Sequence, residues 1–259
     1  MKLSNKIKKS FSLKENNLLK IDSTAKFFIE IFDLEELKNI QNFISSKKIN
    51  FCILGEGSNV VLPNLLNKAV IKISFNEISI EDNLITVGGG KNWDDFVLWS
   101  LENGYSGLEN LSGIPGSIGA APIQNIGAYG SEVSEFIEEV ICFDVKSNSF
   151  VGFTNNDCKF SYRQSIFQDK DSLIVVKVKF KLTKDFQPNL EYEDLNFLKE
   201  EEISPFIIRK HVLKIRKAKI SDPQEHPNVG SFFKNPIISL EELEKIKLIL
   251  PRIKFYSYV

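Results

Sequence analysis

The chain has 259 residues, and 33 lysines and arginines stand against 34 aspartates and glutamates, a formal net charge of −1. That balance excludes the basic signature of a nucleic-acid or membrane-surface binder, and no apolar run reaches the roughly 18 residues needed to span a bilayer. The length allows one large domain or two to three small ones around an ample core.

The opening, MKLSNKIKKSFSLKENN, is basic but lacks the apolar stretch of a secretory signal. Leu34, Leu37, Ile40 and Ile44 repeat at helical spacing and predict a helix over 34–47. A strand is expected at Ile49–Leu54, then a turn, GEGSN, at 55–59, then a strand around Ala69–Ile73. Strands near 77–88 lead into a triple glycine at 88–90. Asn92 is placed to cap a helix running to 103, with Asp94 and Asp95 in its first turn. Residues 107–133 are rich in glycine and proline and poor in β-branched residues, so neither a core strand nor a long helix fits. Interleaved Leu111, Ile114, Ile118, Ile123 and Ile126 argue that this long loop is ordered. Strands follow at 138–145 and 172–182. In the second, Val176, Val178, Phe180 and Leu182 are expected on one face and Lys177, Lys179 and Lys181 on the other. A helix at 205–217, the loop HPNVGSFFKNP and a helix from Ser239, with Glu242 completing a capping box, end the chain. Three segments result, 1–75, 76–220 and 221–259. Their irregular mix of strands and helices reads as α+β, not as a doubly wound sheet.

The chemistry centres on the two glycine-rich turns. ILGEGSNVV starts like a dinucleotide fingerprint, but Val60 stands where a third glycine is needed, and a proline and a strand follow in place of a helix. A Rossmann pyrophosphate site needs that helix N-terminus, so the reading is rejected; no P-loop motif is present either. Glycine-dense turns still expose backbone N–H groups to a phosphate. The turns at 55–59 and 113–130 together can clamp an extended dinucleotide, with Ser58, Asn59, Ser117, Gln124 and Asn125 adding side-chain polarity. Glu56 would repel pyrophosphate and is expected to turn away. Cys52, Cys142 and Cys158 lack metal-ligand spacing and cannot all pair; Cys52 and Cys142, in apolar strand-like runs, read as buried thiols of a reducing cytoplasm. His211 and His226 have no nucleophile beside them and receive no role, and no metal site is expected.

LGEGSNVVL, GLENLSGIPGSIGAAPIQNIGAYGSEV, CKFSYRQSIF, RKAKISDP and GSFFKNP occur in the order found in the UDP-N-acetylenolpyruvoylglucosamine reductase (UDP-N-acetylmuramate dehydrogenase) family, and the resemblance covers about residues 15–250. QPNLEYEDL at 187–195 is similar to that family's substrate-side segment. The resemblance implies a two-part FAD-binding region of the vanillyl-alcohol oxidase (PCMH) type, here 1–75 and 76–220, and an α+β substrate-binding domain beginning at 221. It implies FAD and NADPH as cofactors and UDP-N-acetylglucosamine enolpyruvate as the substrate of a monomeric cytoplasmic enzyme of peptidoglycan synthesis. FAD would be held by Gly55, Gly57, Ser58 and Asn59 of the first turn. In the second turn, Pro115, Gly116, Ser117, Ile118 and Gly119 would act together with Gln124, Asn125, Gly127, Ala128 and Tyr129.

By the same resemblance, Arg163 stabilises the enolate that forms when hydride reaches the enolpyruvyl group, a task suited to a planar, permanent cation. Ser231 donates the proton that completes reduction, with Lys234 or Lys219 helping to stabilise its alkoxide. Tyr192, Lys219 and Asn235 bind the UDP-sugar. Taken singly, Arg163 would be a surface arginine, Ser231 a turn serine before Phe232–Phe233, and the tyrosines half-buried aromatics; the collinear motifs favour the site. The family continues beyond the equivalent of Pro251 with an AGWLI-like segment, a substrate glutamine and a late glutamate that this chain lacks. The expectation is therefore a C-terminally truncated reductase with an incomplete substrate domain and impaired turnover. The alternatives are a non-catalytic remnant that binds flavin or UDP-sugar, and a flavin oxidoreductase of the same fold with another substrate.

Overall fold

Parallel strands cannot be joined by tight turns, and this constraint shapes the first part of the chain. A computed structural model describes residues 6–200 and 202–256. β1 (Lys8–Ser12) runs antiparallel to β2 (Thr24–Ile31). The crossover helices α1 (Leu34–Lys38) and α2 (Ile40–Lys47) then lead to β3 (Phe51–Ile53) and β4 (Leu65–Ile73). β4 is parallel to both β2 and β3, giving the order β1-β2-β4-β3. The helix expected over 34–47 is thus two. Asn39 closes α1, and its side-chain amide donates back to the Glu35 carbonyl at 3.0 Å, a local bond that competes with helix continuation. Sequence reading also missed β2: nearly every residue from Ala25 to Ile31 is buried or half-buried, so no alternation marks it.

The second sheet is antiparallel. β5 (Ile78–Glu81) turns into β6 (Leu84–Gly88) through Asp82 and Asn83, both at positive φ, as a two-residue hairpin requires. α3 (Trp93–Glu102) follows, capped as expected by the Asn92 side chain, which accepts from Asp95 N at 3.0 Å. The small hairpin β7 (Gly127–Ala128) and β8 (Ser131–Glu132) lies at the end of the glycine-rich loop. Then come β9 (Ile137–Asp144), β10 (Ser149–Thr154), the single turn α4 (Asn155–Cys158) and β11 (Leu173–Lys181). The sheet order is β10-β9-β11-β6-β5.

The two faces of this sheet feed different cores. On one, Val140, Val178 and Phe180 meet Trp93, Phe96 and Val97 of α3. On the other, Phe143, Ile174 and Val176 meet Ile29, Ile31, Ile71 and Ile73 of the first sheet with Leu37 and Ile40 of its helices. The expectation that Val176 shares a face with Val178, Phe180 and Leu182 is therefore corrected. The register slips between Val175 and Lys177, and this bulge sends Val175 into the α3 core and Val176 into the inter-sheet core.

α5 (Pro205–Lys219) starts at the N-cap Ser204 with Pro205 in its first turn. Ile208 and Val212 bury against Tyr129, Leu190, Leu195 and Leu198. α6 (Leu240–Ile249) has the expected Ser239–Glu242 capping box, but of its residues only Leu243 is buried, and 230–242 are exposed throughout.

Phe180 is fully buried, 4.9 Å from the Phe96 ring, whereas the adjacent Lys181 is exposed. In urea melts Phe180→Ala should cost about 3–5 kcal/mol through the cavity it leaves. Lys181→Ala should stay within about 0.5 kcal/mol.

Candidate functional site

The glycine-rich loop is stitched to the end of β6. Gly119 N donates to Gly89 O at 2.8 Å, Ile118 N to Lys91 O at 2.9 Å and Trp93 N to Gly116 O at 2.9 Å, while the Ile118 side chain is sunk in the core. The first turn, 55–59, emerges from β3 and meets this loop with glycines set against serine side chains. A Cβ on Gly55 would lie 2.9 Å from Ser117 Oγ, and one on Gly116 only 3.2 Å from Ser58 Oγ. Gly57 is pressed equally closely against the backbone of Asn16 and Asn17. Asn59 Nδ2 donates to Gln124 Oε1 at 2.7 Å and joins the turns directly. The Glu56 carboxylate accepts from Asn92 Nδ2 at 3.2–3.3 Å.

Among the described residues, the backbone amides of 55–59 and those of Gly116 and Ser117 donate no hydrogen bond. Two facing turns with uncommitted N–H groups form a concave donor array, the chemistry a pyrophosphate needs. The residues present therefore fit the pyrophosphate of FAD.

Asn125 is fully buried with φ +44°, and its side chain serves the loop itself. Oδ1 accepts from Ser134 N at 3.0 Å; Nδ2 donates to Glu132 Oε2 at 2.6 Å and to Ser161 O at 3.1 Å. Arg163, at φ +53°, reaches the same place: Nη1 donates to Asn125 O at 3.1 Å and Nη2 to Gly127 O. These two hydrogen-bond acceptors are neutral carbonyls. Glu132 Oε1 lies 3.8 Å from Nη1. Burial raises the Glu132 carboxyl, against the Asn125 amide and Arg163, which lower it. The Tyr162 ring has Arg163 Cζ at 5.2 Å and Lys234 Nζ at 5.6 Å, so the GSFFKNP loop sits against the SYRQS turn.

A second group gathers at the foot of α5. Tyr129 and Tyr192 meet edge to face at 5.2 Å, and Lys219 Nζ lies 5.6 Å over the Tyr192 ring while pairing with Asp194. The Tyr192 hydroxyl is pushed up to about 12, by burial first and then by the Tyr256 hydroxyl bonded to it. Ala128 packs beside this group. Pro115, Ser231 and Asn235 are exposed, the last two on the open 230–242 stretch. The structure thus assembles the two turns, Arg163, and the Tyr129–Tyr192–Lys219 group; Ser231 and Asn235 stay on their own loop, tied in through Lys234.

Sequence reading gave no role to Arg209, Arg216 or Glu132, and gave Asp94 only a place in a helix's first turn. Asp94 accepts a fork from Arg209 at 2.5 and 2.8 Å and also takes the Gly113 amide at 2.6 Å, clipping α5 and the glycine-rich loop to α3. Its partner is 115 residues away, beyond any local pattern. The Arg216 stem lies on Gly113 and its guanidinium bonds to the Tyr129 hydroxyl; burial lowers its pKa.

Comparison with known proteins shows the family. Residues 25–144 match the FAD binding domain family. The chain is 42% identical over 249 residues to UDP-N-acetylenolpyruvoylglucosamine reductase of Polynucleobacter asymbioticus, covering 93% of this chain and 72% of that protein. It is 39% identical over 263 residues to the same enzyme of Flavobacterium johnsoniae, covering 97% and 77%. The chain belongs to the UDP-N-acetylenolpyruvoylglucosamine reductase family. By family it is a flavin-dependent oxidoreductase with FAD as its cofactor. The crystal structure of UDP-N-acetylenolpyruvylglucosamine reductase from Thermus caldophilus superposes with a TM-score of 0.65 at 24% identity, over 92% of this chain and 78% of that one, a likeness of fold.

The Asp94 clip yields a pH-dependent prediction. Burial pushes the Asp94 carboxyl up, but the Arg209 fork and the Gly113 amide outweigh it and hold the pKa below the ordinary 3.8. A depressed folded-state pKa gives stability that is complete above 3.8 and lost as pH falls through the lower folded value. Asp94→Asn should cost about 2 kcal/mol at neutral pH, less than a fully buried pair because the carboxylate is part-exposed. Urea melts carried down through pH 3.8 should show wild type and variant converging.

Proposed function

We propose that the chain reduces the enolpyruvyl ether of UDP-N-acetylglucosamine to UDP-N-acetylmuramate with NADPH, as a monomer in the cytoplasm, in peptidoglycan precursor synthesis. On this reading 1–75 and 76–220 form the FAD-binding part and 221–259 contribute to substrate binding. The observation that carries the reading is Arg163, a cation held by two neutral carbonyls at the mouth of a loop built for pyrophosphate.

Bound FAD supplies the hydride chemistry that links a nicotinamide to the methylene carbon of the enolpyruvyl group. The protein manages the charge that follows. Two of the five N–H groups of Arg163 are committed to carbonyls, and the remaining three can meet a carboxylate as its α-carbon gains electron density. Ser231 delivers a proton to that carbon, and Lys234, drawn over Tyr162 near Arg163, stabilises the alkoxide left behind. Lys219 provides a point charge for the substrate's pyrophosphate, and Asn235 and the Tyr192 ring hold the nucleotide. One observation favours a second reading, a non-catalytic flavin- or UDP-sugar-binding protein. The stretch carrying Ser231 is exposed from 230 to 242, and among the described residues none hydrogen-bonds the Ser231 hydroxyl.

Stopped-flow traces of the two half-reactions decide between them. Anaerobic flavin reduction by NADPH should survive both Ser231→Ala and Arg163→Lys. Reoxidation by the enolpyruvyl substrate should slow by roughly 10²-fold or more in each. Equal slowing of both half-reactions would make these residues structural. Reoxidation by oxygen but not by substrate in the unmodified chain would favour the non-catalytic reading.

A further inference from the structure

Arg163 can stabilise developing charge only if its guanidinium is fixed, and the groups fixing it converge on Glu132, which lies just past the second glycine-rich turn and bonds to Asn125 within it. Glu132, at the end of β8, accepts from Asn125 Nδ2 at 2.6 Å and from the Glu135 amide in a capping box, and its other oxygen faces Arg163 Nη1 at 3.8 Å. Glu135 in turn accepts from Glu132 N and Ser131 Oγ, so the carboxylate has little freedom to swing. The Asn125 side chain is thereby locked, and its carbonyl is the acceptor for Arg163 Nη1.

The packing is as tight as the bonding. A Cβ on Gly127 would lie 2.7 Å from Arg163 Nη1 and 3.0 Å from Glu132 Cγ, so a side chain there would crowd both the guanidinium and the carboxylate stem. Both Asn125 and Arg163 hold positive φ, a conformation that non-glycine residues keep only when their surroundings impose it.

We propose that Glu132 is a positioning residue for the reduction step: through Asn125 it holds the Arg163 guanidinium on the Asn125 and Gly127 carbonyls. The proposal rests on the reading of Arg163 given above. It is Glu132's acceptor oxygen toward Asn125, at 2.6 Å, more than the looser 3.8 Å approach of its other oxygen to Arg163 Nη1, that holds the guanidinium in place.

Glu132→Gln keeps an acceptor for Asn125; Glu132→Ala removes it. In full-length protein labelled with ¹⁵N-arginine, the Arg163 guanidinium signals are assigned by their loss in Arg163→Lys and told apart from those of Arg209, Arg216 and Arg252. Wild type and Glu132→Gln should show resolved, slowly rotating Nη–H signals for Arg163, and Glu132→Ala averaged ones. Reoxidation of reduced flavin by the enolpyruvyl substrate should fall about 10- to 100-fold in Glu132→Ala, with NADPH-driven reduction unchanged, and be largely rescued in Glu132→Gln. Resolved Arg163 signals in Glu132→Ala, equal loss in both half-reactions, or a Glu132→Gln defect as large as that of Glu132→Ala would overturn the proposal. If substrate reoxidises no form, the reading of Arg163 fails while the guanidinium signals still decide what holds it.

Discussion

Two backbone turns from different sheets must approach within side-chain contact of each other, and most of the remaining structure serves that approach. Gly55 and Gly116 each face a serine across the gap, with no room for a Cβ at Gly55. One side-chain bond, Asn59 to Gln124, crosses between the turns. The turns can meet because β3 and β6 lie in sheets that share an inter-sheet core, where Phe143, Ile174 and Val176 pack on Ile29, Ile71 and Ile73. The loop cannot drift, because Gly119, Ile118 and Trp93 fasten it to the strand end and helix start beneath it. Burial of apolar surface thus sets the spacing of an array of polar amides.

Charge is handled on the same frame by two different means. Arg163 donates its two hydrogen bonds to neutral carbonyls, with the Glu132 carboxylate at a looser 3.8 Å. Where position is what counts, the protein uses a full ion pair, as with Asp94 and Arg209, which bind α5 to the loop from the far side. On the proposed reading the first arrangement leaves most of a cation's field for a ligand; the second uses that field up in structure. The difference separates Arg163, half-buried, from Arg209, buried.

The sequence was most legible where a local rule suffices. The Asn92 and Ser239 caps, the helix of α5 and the two glycine turns were all readable, because capping chemistry and glycine density act within a few residues. β2 was not, because a strand buried on both faces loses its alternation. The bulge at Val175–Lys177 was hidden because one inserted residue leaves an apolar-lysine alternation looking intact. At the site, motif order pointed to Arg163, Tyr192 and Lys219. The Asn125–Glu132 and Asp94–Arg209 partnerships could not be read, since a hydrogen-bonded pair brought together by folding leaves no spacing to recognise. Asn125, expected to contribute a polar side chain toward a ligand, spends that side chain inside the loop.

The central claim is that the facing turns hold a dinucleotide through its pyrophosphate. The most direct measurement is an equilibrium titration of the flavin-free chain with FAD and with riboflavin, followed by quenching of flavin fluorescence. Two charge-assisted hydrogen bonds from backbone amides should separate the two ligands by roughly 10²-fold or more in affinity. The account predicts tight FAD binding, with the flavin released intact by acid, and weak riboflavin binding. Equal affinity for the two, or no FAD binding at all, would contradict it.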